Sequence, residues 1–454
     1  MKGRRMQANR SKQSSLPETA ESAPTPPAAT ASAASRLDVE RIELPNGLTL
    51  LLSESHATPS VALNAVVRAG SRFEPDDKAG LASLTGELLD EGTATHTSQQ
   101  IAEAIEAVGG RMATYGDYQS SGVQAALLSK DVSLAIDVIA DVLTNATFPE
   151  DKVQQHVHRR VAQIKSRLDV PRVQASDIFN ELVFKDTPQH RPSVGYAETV
   201  ARLTRSDMLD FYRRFYVPNN TLIAVVGDID KSFIRQRVEE AFSKWERAED
   251  FNPPQVPVAP RQIAPVEKHV FAPKEQVNIF IGHTGVDRRN PDYYTLRVMD
   301  TILGSSPGFT SRIPRILRDE QGLAYTTFSN ITGSAGLEPG RFIAYIGTSP
   351  ENLTQAVEGL RREIERIVRE PVTESEVEAA RAYLTGNFVF EFQTNSQVAE
   401  FLIDAEVYGL GFDYLERFPE IIRAVEVEDV STAARKYIDP DNLTTVVVGP
   451  VDKQ

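Results

Sequence analysis

Val217-Pro218-Asn219-Asn220-Thr221-Leu222-Ile223-Ala224-Val225-Val226-Gly227-Asp228-Ile229-Asp230 reveals the architecture, because it occurs twice. Pro218, Asn220, Gly227 and Asp230 return 222 positions later as Pro440, Asn442, Gly449 and Asp452, around Val446-Val447-Val448. Each copy follows an aromatic-rich helix end and reads as a buried strand. A looser match lies upstream: Val123 to Leu128 before Leu134 resembles Phe342 to Gly347 before Leu353, 219 positions apart. A period of this length is too long for a solenoid repeat, so duplication of a whole domain is the better account.

The boundary between the copies is written in proline. Pro253, Pro254, Pro257, Pro260 and Pro265 crowd the stretch between Asn252 and Glu267. Proline at that density forbids helix and resists central strands, which makes 251–266 a stiff linker. Residues 1–36, rich in Pro, Ala, Ser and Thr, cannot bury enough apolar surface to offset the entropy of ordering and read as a disordered tail. This leaves one domain over 37–250 and a homologous one over 267–454. Arg41–Leu44 and Leu48–Leu51 flank Pro45-Asn46-Gly47 and predict a hairpin. Ala62–Val67 reads as a strand, and 132–142, 153–168, 353–368 and 374–383 as helices. The class is α+β, twice over.

The chain of 454 residues carries a net charge of −14 and no cysteine. An acidic body argues against nucleic acid, whose phosphates need a basic face, and suits basic or neutral peptides better. Without cysteine there are no disulfides, thiolate metal sites or cysteine nucleophiles. No apolar run approaches a membrane span. The basic N-terminus lacks the apolar core of a signal peptide. The expectation is a soluble protein of the bacterial cytoplasm or periplasm rather than of the mitochondrion.

Gly80-Leu81-Ala82-Ser83-Leu84-Thr85-Gly86-Glu87, followed by Gly92-Thr93, is a helix with its leucines on one flank and Ser83 and Glu87 on another. With it go Leu44-Pro45-Asn46-Gly47-Leu48, Gly70-Ser71-Arg72, Phe148-Pro149, the Pro218-Asn219-Asn220 strand, Ser311-Arg312, and Leu317-Arg318 ahead of Gly322-Leu323-Ala324-Tyr325. In this order and spacing the chain resembles the pitrilysin/insulinase-type zinc peptidases from about Leu37 to Asp452. It is most similar to the half-length branch of mitochondrial processing peptidase, cytochrome bc core proteins and bacterial two-subunit peptidases. The resemblance implies two homologous domains, each with a largely antiparallel sheet backed by helices, and a pair of chains closing around a chamber in which unfolded peptides are cut.

The metal chemistry departs from that pattern. The family's H-x-x-E-H places two imidazoles one turn apart on the metal and a carboxylate on its water. Those positions here are Ser83, Gly86 and Glu87, and no glutamate stands between Asp151 and Asn180 to serve as the outer ligand. Gly86 costs the helix about 1 kcal/mol relative to alanine, with nothing local to offset it. His156 and His158, the one close histidine pair, point apart on a helix and read as a solvated face. No metal or other cofactor is therefore expected in this chain.

In two-subunit relatives the chain without zinc carries an arginine and a tyrosine seven residues apart that reach its partner's site. Arg318 and Tyr325 match them. Pro314–Gln321 reads as a short helix stopped by Gly322, and Ala324–Phe328 as a strand. Guanidinium and phenol donors suit the charge that builds on a peptide carbonyl during hydrolysis. Gly304, Ser305, Ser306 and Gly308 resemble a glycine-rich substrate loop, or form a plain helix connection. The implied function is a non-catalytic subunit that binds peptide and assists a homologous zinc-bearing partner, inactive alone. The alternative is an inactive scaffold of the core-protein kind.

Overall fold

The computed structural model describes residues 37–306 and 311–451. The tail expected over residues 1–36 therefore lies outside the described residues, as does Gly308.

The hairpin forms where Pro45-Asn46-Gly47 places it. Gly47 takes the left-handed conformation at φ +88°, and Val39–Glu43 (β1) pairs antiparallel with Thr49–Glu54 (β2), Ile42 opposite Leu50. Ser60–Val67 (β3), Arg111–Gly116 (β4), Ser121–Leu128 (β5) and Thr221–Gly227 (β6) complete a six-stranded sheet in the order β1-β2-β6-β3-β5-β4. Val266–Phe271 (β7), Val277–Thr284 (β8), Thr326–Asn330 (β9), Arg341–Thr348 (β10) and Thr444–Gly449 (β11) make a second sheet in the order β7-β11-β8-β10-β9. Leaving aside β1, the two orders are the same. Each has one parallel pair, β2 with β6 and β7 with β11, and is otherwise antiparallel. The repeated strand is β6 in one sheet and β11 in the other, and the looser match is β5 and β10. Both fall at equivalent places.

Seven helices bear on the site and its setting: Leu81–Glu87 (α1), Val132–Thr144 (α2), Glu150–Leu168 (α3), Pro171–Val183 (α4), Tyr293–Asp300 (α5), Leu353–Arg369 (α6) and Asn395–Tyr408 (α7). In α6 the apolar spacing is plain, with Ala356, Leu360, Ile364 and Ile367 buried on one stripe. Helix α7 starts on a capping box between Thr394 and Gln397 and stops at left-handed Gly409. Among the described residues no helix is long and apolar enough to cross a membrane.

The stretch 251–265 holds no helix or strand, yet packing does not stop there. Each half sends a helix across the sheet of the other. Helix α4 lies on β8 and β11, where Ala175, Phe179 and Val183 share a core with Phe280, Tyr345 and Val446. Helix α7 lies on β3 and β6, and one core cluster joins Leu51, Ala62, Val66 and Ala224 to Leu296, Phe342 and Leu402. The described residues consequently form a single compact body.

Because that core is shared, Leu402→Ala should lower the stability of both halves together, by about 2–5 kcal/mol. Denaturant unfolding read by intrinsic fluorescence should show one transition moved as a whole. A second transition left in place would contradict the shared core.

Candidate functional site

Helix α1 begins over a buried carboxyl. Glu74 accepts the N–H of Gly80 at 2.9 Å through Oε1 and that of Ala82 at 2.8 Å through Oε2. Burial outweighs these bonds and pushes the Glu74 carboxyl up to about 7.

Gly86 is not an idle cost, and on this point the structure corrects the expectation from sequence. A Cβ at Gly86 would collide with the Tyr115 carbonyl, and one at Gly116 would come 2.7 Å from the Ala82 carbonyl oxygen. Two glycines thus let helix α1 and strand β4 meet backbone to backbone, which offsets the propensity lost.

The decisive side chain comes from α3. Its buried stripe runs Val153, His156, Val157, Arg160 and Ile164. Arg160 is 6% exposed; it donates through Nη1 to the Ser83 hydroxyl at 3.1 Å and through Nη2 to Glu87 Oε2. A fixed guanidinium therefore lies between Ser83 and Glu87 of α1, on the flank where the resemblance would seat a metal. A hydroxyl and a carboxylate already engaged with a permanent cation do not fit zinc, which needs three or four N, S or O donors and would stand beside a like charge. Among the described residues no group of three metal-ligating side chains gathers anywhere.

Behind this pair stands a second polar cluster. Glu91 accepts from His156 Nε2 at 2.7 Å and from Lys152 Nζ at 2.8 Å. Burial pushes its carboxyl up, but these two partners outweigh that and hold it below the ordinary range. His158 is exposed as expected, whereas His156 is 5% exposed and the solvated-face reading fails for it. Arg160 and His156 could have been found from sequence: both sit on the apolar spacing of α3, where an unpartnered polar residue would be costly.

Arg318 and Tyr325 flank the Gly322 stop. Gly322 has φ +64°, and the Leu323 N–H closes the helix on the Leu317 carbonyl at 2.8 Å. Arg318 donates from Nε to Asp319 at 2.8 Å, and Tyr325 is 89% exposed just ahead of β9. Tyr325 is thus a surface residue one position short of the strand, which begins at Thr326 rather than Ala324. The loop residues fare differently. Gly304 is buried in the turn 301–305, where a Cβ would collide with Ser329, so no extended peptide reaches its backbone. Ser306 is buried, its N–H donating to Ser311 Oγ at 3.2 Å. Ser305 alone of the described loop positions is open.

The family profile described as "Insulinase (Peptidase family M16)" matches residues 49–200, and "Peptidase M16 inactive domain" matches 202–384. An "Uncharacterized zinc protease" of Rickettsia bellii is 27% identical over 411 residues, covering 90% of this chain and 97% of its own. One from Mycobacterium tuberculosis is 28% identical over 424 residues, covering 92% and 94%. The crystal structure of a peptidase M16 inactive domain from Pseudomonas fluorescens superposes with a TM-score of 0.84 at 24% identity, covering 92% of this chain and all of that one.

Arg160→Met should cost about 1–3 kcal/mol, because Ser83 and a partly exposed Glu87 lose their donor, and adding Glu87→Gln should recover much of it. A double-mutant cycle by denaturant unfolding measures the coupling; additive losses would contradict it. For Glu74 the folded carboxyl holds its proton more tightly than the unfolded one. Its stabilising effect is complete below about 4.5 and is lost as pH rises through about 7. Glu74→Gln should flatten the pH dependence of stability across that window; an unchanged slope would refute the assignment.

Proposed function

This chain belongs to peptidase family M16, and we propose that within the family it is a metal-free member that serves as the non-catalytic subunit of a two-chain zinc peptidase. The observation that carries this reading is the Arg160 guanidinium held between Ser83 and Glu87. A site occupied by a permanent cation and lacking imidazoles has no means of activating water on a metal. The relatives named zinc proteases give the chemistry of the family, and this chain supplies its frame without that chemistry.

The assisting role rests on Arg318 and Tyr325. Tyr325 projects from the surface beside the helix end that carries Arg318. A neighbouring zinc-bearing chain of the same fold could receive both groups, the guanidinium and phenol donating to the carbonyl oxygen on which negative charge develops. The partner would bring the zinc and the activated water; this chain would bind unfolded peptide and donate. The scaffold reading differs in one respect only, since a scaffold needs the pairing surface but not the two donors.

Co-expression with a zinc-motif homologue, followed by a peptide-cleavage assay, separates the two. Arg318→Ala or Tyr325→Phe should lower kcat by about a hundredfold while the complex stays intact on size exclusion. Unchanged turnover in both variants would leave the scaffold reading.

A further inference from the structure

The elements that build the Arg160 site occur again in the second half. Four positions of the α3 stripe, Val153, His156, Arg160 and Ile164, have counterparts 224 positions on in Val377, Ala380, Leu384 and Phe388, the buried residues of the helix Glu374–Phe388. Gly86 of α1 answers to Gly304 in the turn after α5, and a Cβ at either would collide with a strand residue, Tyr115 of β4 or Ser329 of β9. In the same register Ser83 and Glu87 answer to Thr301 and Ser305. Leu384 therefore stands where Arg160 stands in the first half, and it is shorter and uncharged. Beside it lies a cavity of about 710 Å³, lined in part by Thr301, Ser305 and Leu384, with α7 as another wall. These are the dimensions of a ligand site.

Two guanidiniums line this cavity without a carboxylate of their own. The fully buried arginines elsewhere, Arg160, Arg191 and Arg312, each hold one. Arg288 and Arg297 are half-buried, and among the described residues neither forms an ion pair. Arg288 lies 3.9 Å over the Tyr293 ring and donates to Tyr414 Oη at 3.2 Å. Arg297 lies 5.8 Å from the centroid of the Phe418 ring. A guanidinium stacked on a ring face still directs its N–H groups outward from its edge, in the plane that a carboxylate needs. The buried acid of the cavity is already spent: Asp300 accepts the N–H groups of Ile331 at 2.7 Å and Thr332 at 2.9 Å, and the Thr332 hydroxyl at 2.5 Å. Glu391, Glu400 and Asp404 also line the cavity but are exposed, where solvent screens them. They oppose a multiply charged anion such as phosphate, and a free amino end on the ligand would offset them.

A planar, singly charged group with in-plane acceptors is the natural partner of two guanidinium edges. The rings of Tyr383, Phe392 and Tyr408 supply apolar area on the same walls. We propose that Arg288 and Arg297 bind the carboxylate at the free C-terminal end of a short peptide, with its last side chain against these rings. That the carboxylate belongs to a peptide rests on the peptide-binding role proposed above. The site lies within this chain and needs no partner subunit, so its failure and that of the Arg318–Tyr325 role are read separately.

Isothermal titration of the full chain with the tripeptide Ala-Ala-Phe, and with the same peptide capped as its C-terminal amide, tests the assignment. The acid should bind roughly tenfold or more tightly than the amide. R288Q and R297Q should each weaken binding of the acid by roughly fivefold or more and leave the amide unchanged. R235Q removes the same charge from an exposed position on the helix Lys231–Ala241 and should leave binding of the acid unchanged. The acid–amide comparison is made on the parent chain, so it decides the question even where circular dichroism shows an arginine variant to be unfolded. No binding of the acid, equal binding of acid and amide, or equal weakening by R235Q would overturn the proposal.

Discussion

A guanidinium keeps its charge at every pH a protein survives, and a charge taken out of water must be partnered or the fold is strongly destabilised. Arg160 imposes that requirement on the first half of the molecule. It reaches from α3 to Ser83 and Glu87 and ties α1 to α3 through one side chain. With α1 so placed, Gly86 and Gly116 bring β4 against its other side. Glu74 closes the helix start and the Glu91–His156–Lys152 cluster supports its end. The frame around α1 is held by an internal cation.

The duplication explains the rest of the architecture. Two sheets of the same strand order could have stood apart on the proline-rich connection. They are instead laced together by α4 and α7, each lying on the other half's sheet. The lacing gives the molecule one shared core, and the two copies have diverged within it. After β3 the first half is closed by Arg160, whereas after β8 the second half holds a cavity lined by carboxylates and tyrosines.

Much of this was legible in the residues. Proline, asparagine and glycine in register with an apolar run revealed the paired strands β6 and β11, and Pro45-Asn46-Gly47 and Gly322 marked a turn and a stop that the backbone takes. What periodicity could not tell was the partner of a buried face. The stripes of α4 and α7 announce burial but not the sheet that buries them, so the exchange of helices went unread. Gly86 looked costly because its benefit lies in β4, distant in sequence. His156 was assigned to solvent from its spacing to His158, although its spacing to Val153 and Val157 places it inside. Gly304 suggested an open loop, yet a glycine serves equally for close packing, and that is its use against Ser329.

Arg160 occupies the ground a metal would need, and zinc itself is the sharpest probe of that. The purified chain, dialysed against one equivalent of zinc, can be assayed for bound metal by elemental analysis in the parent and in Glu87→Gln. With the guanidinium in place, neither protein should hold stoichiometric zinc. One zinc per chain in the parent, lost on replacing Glu87, would contradict this reading of the site.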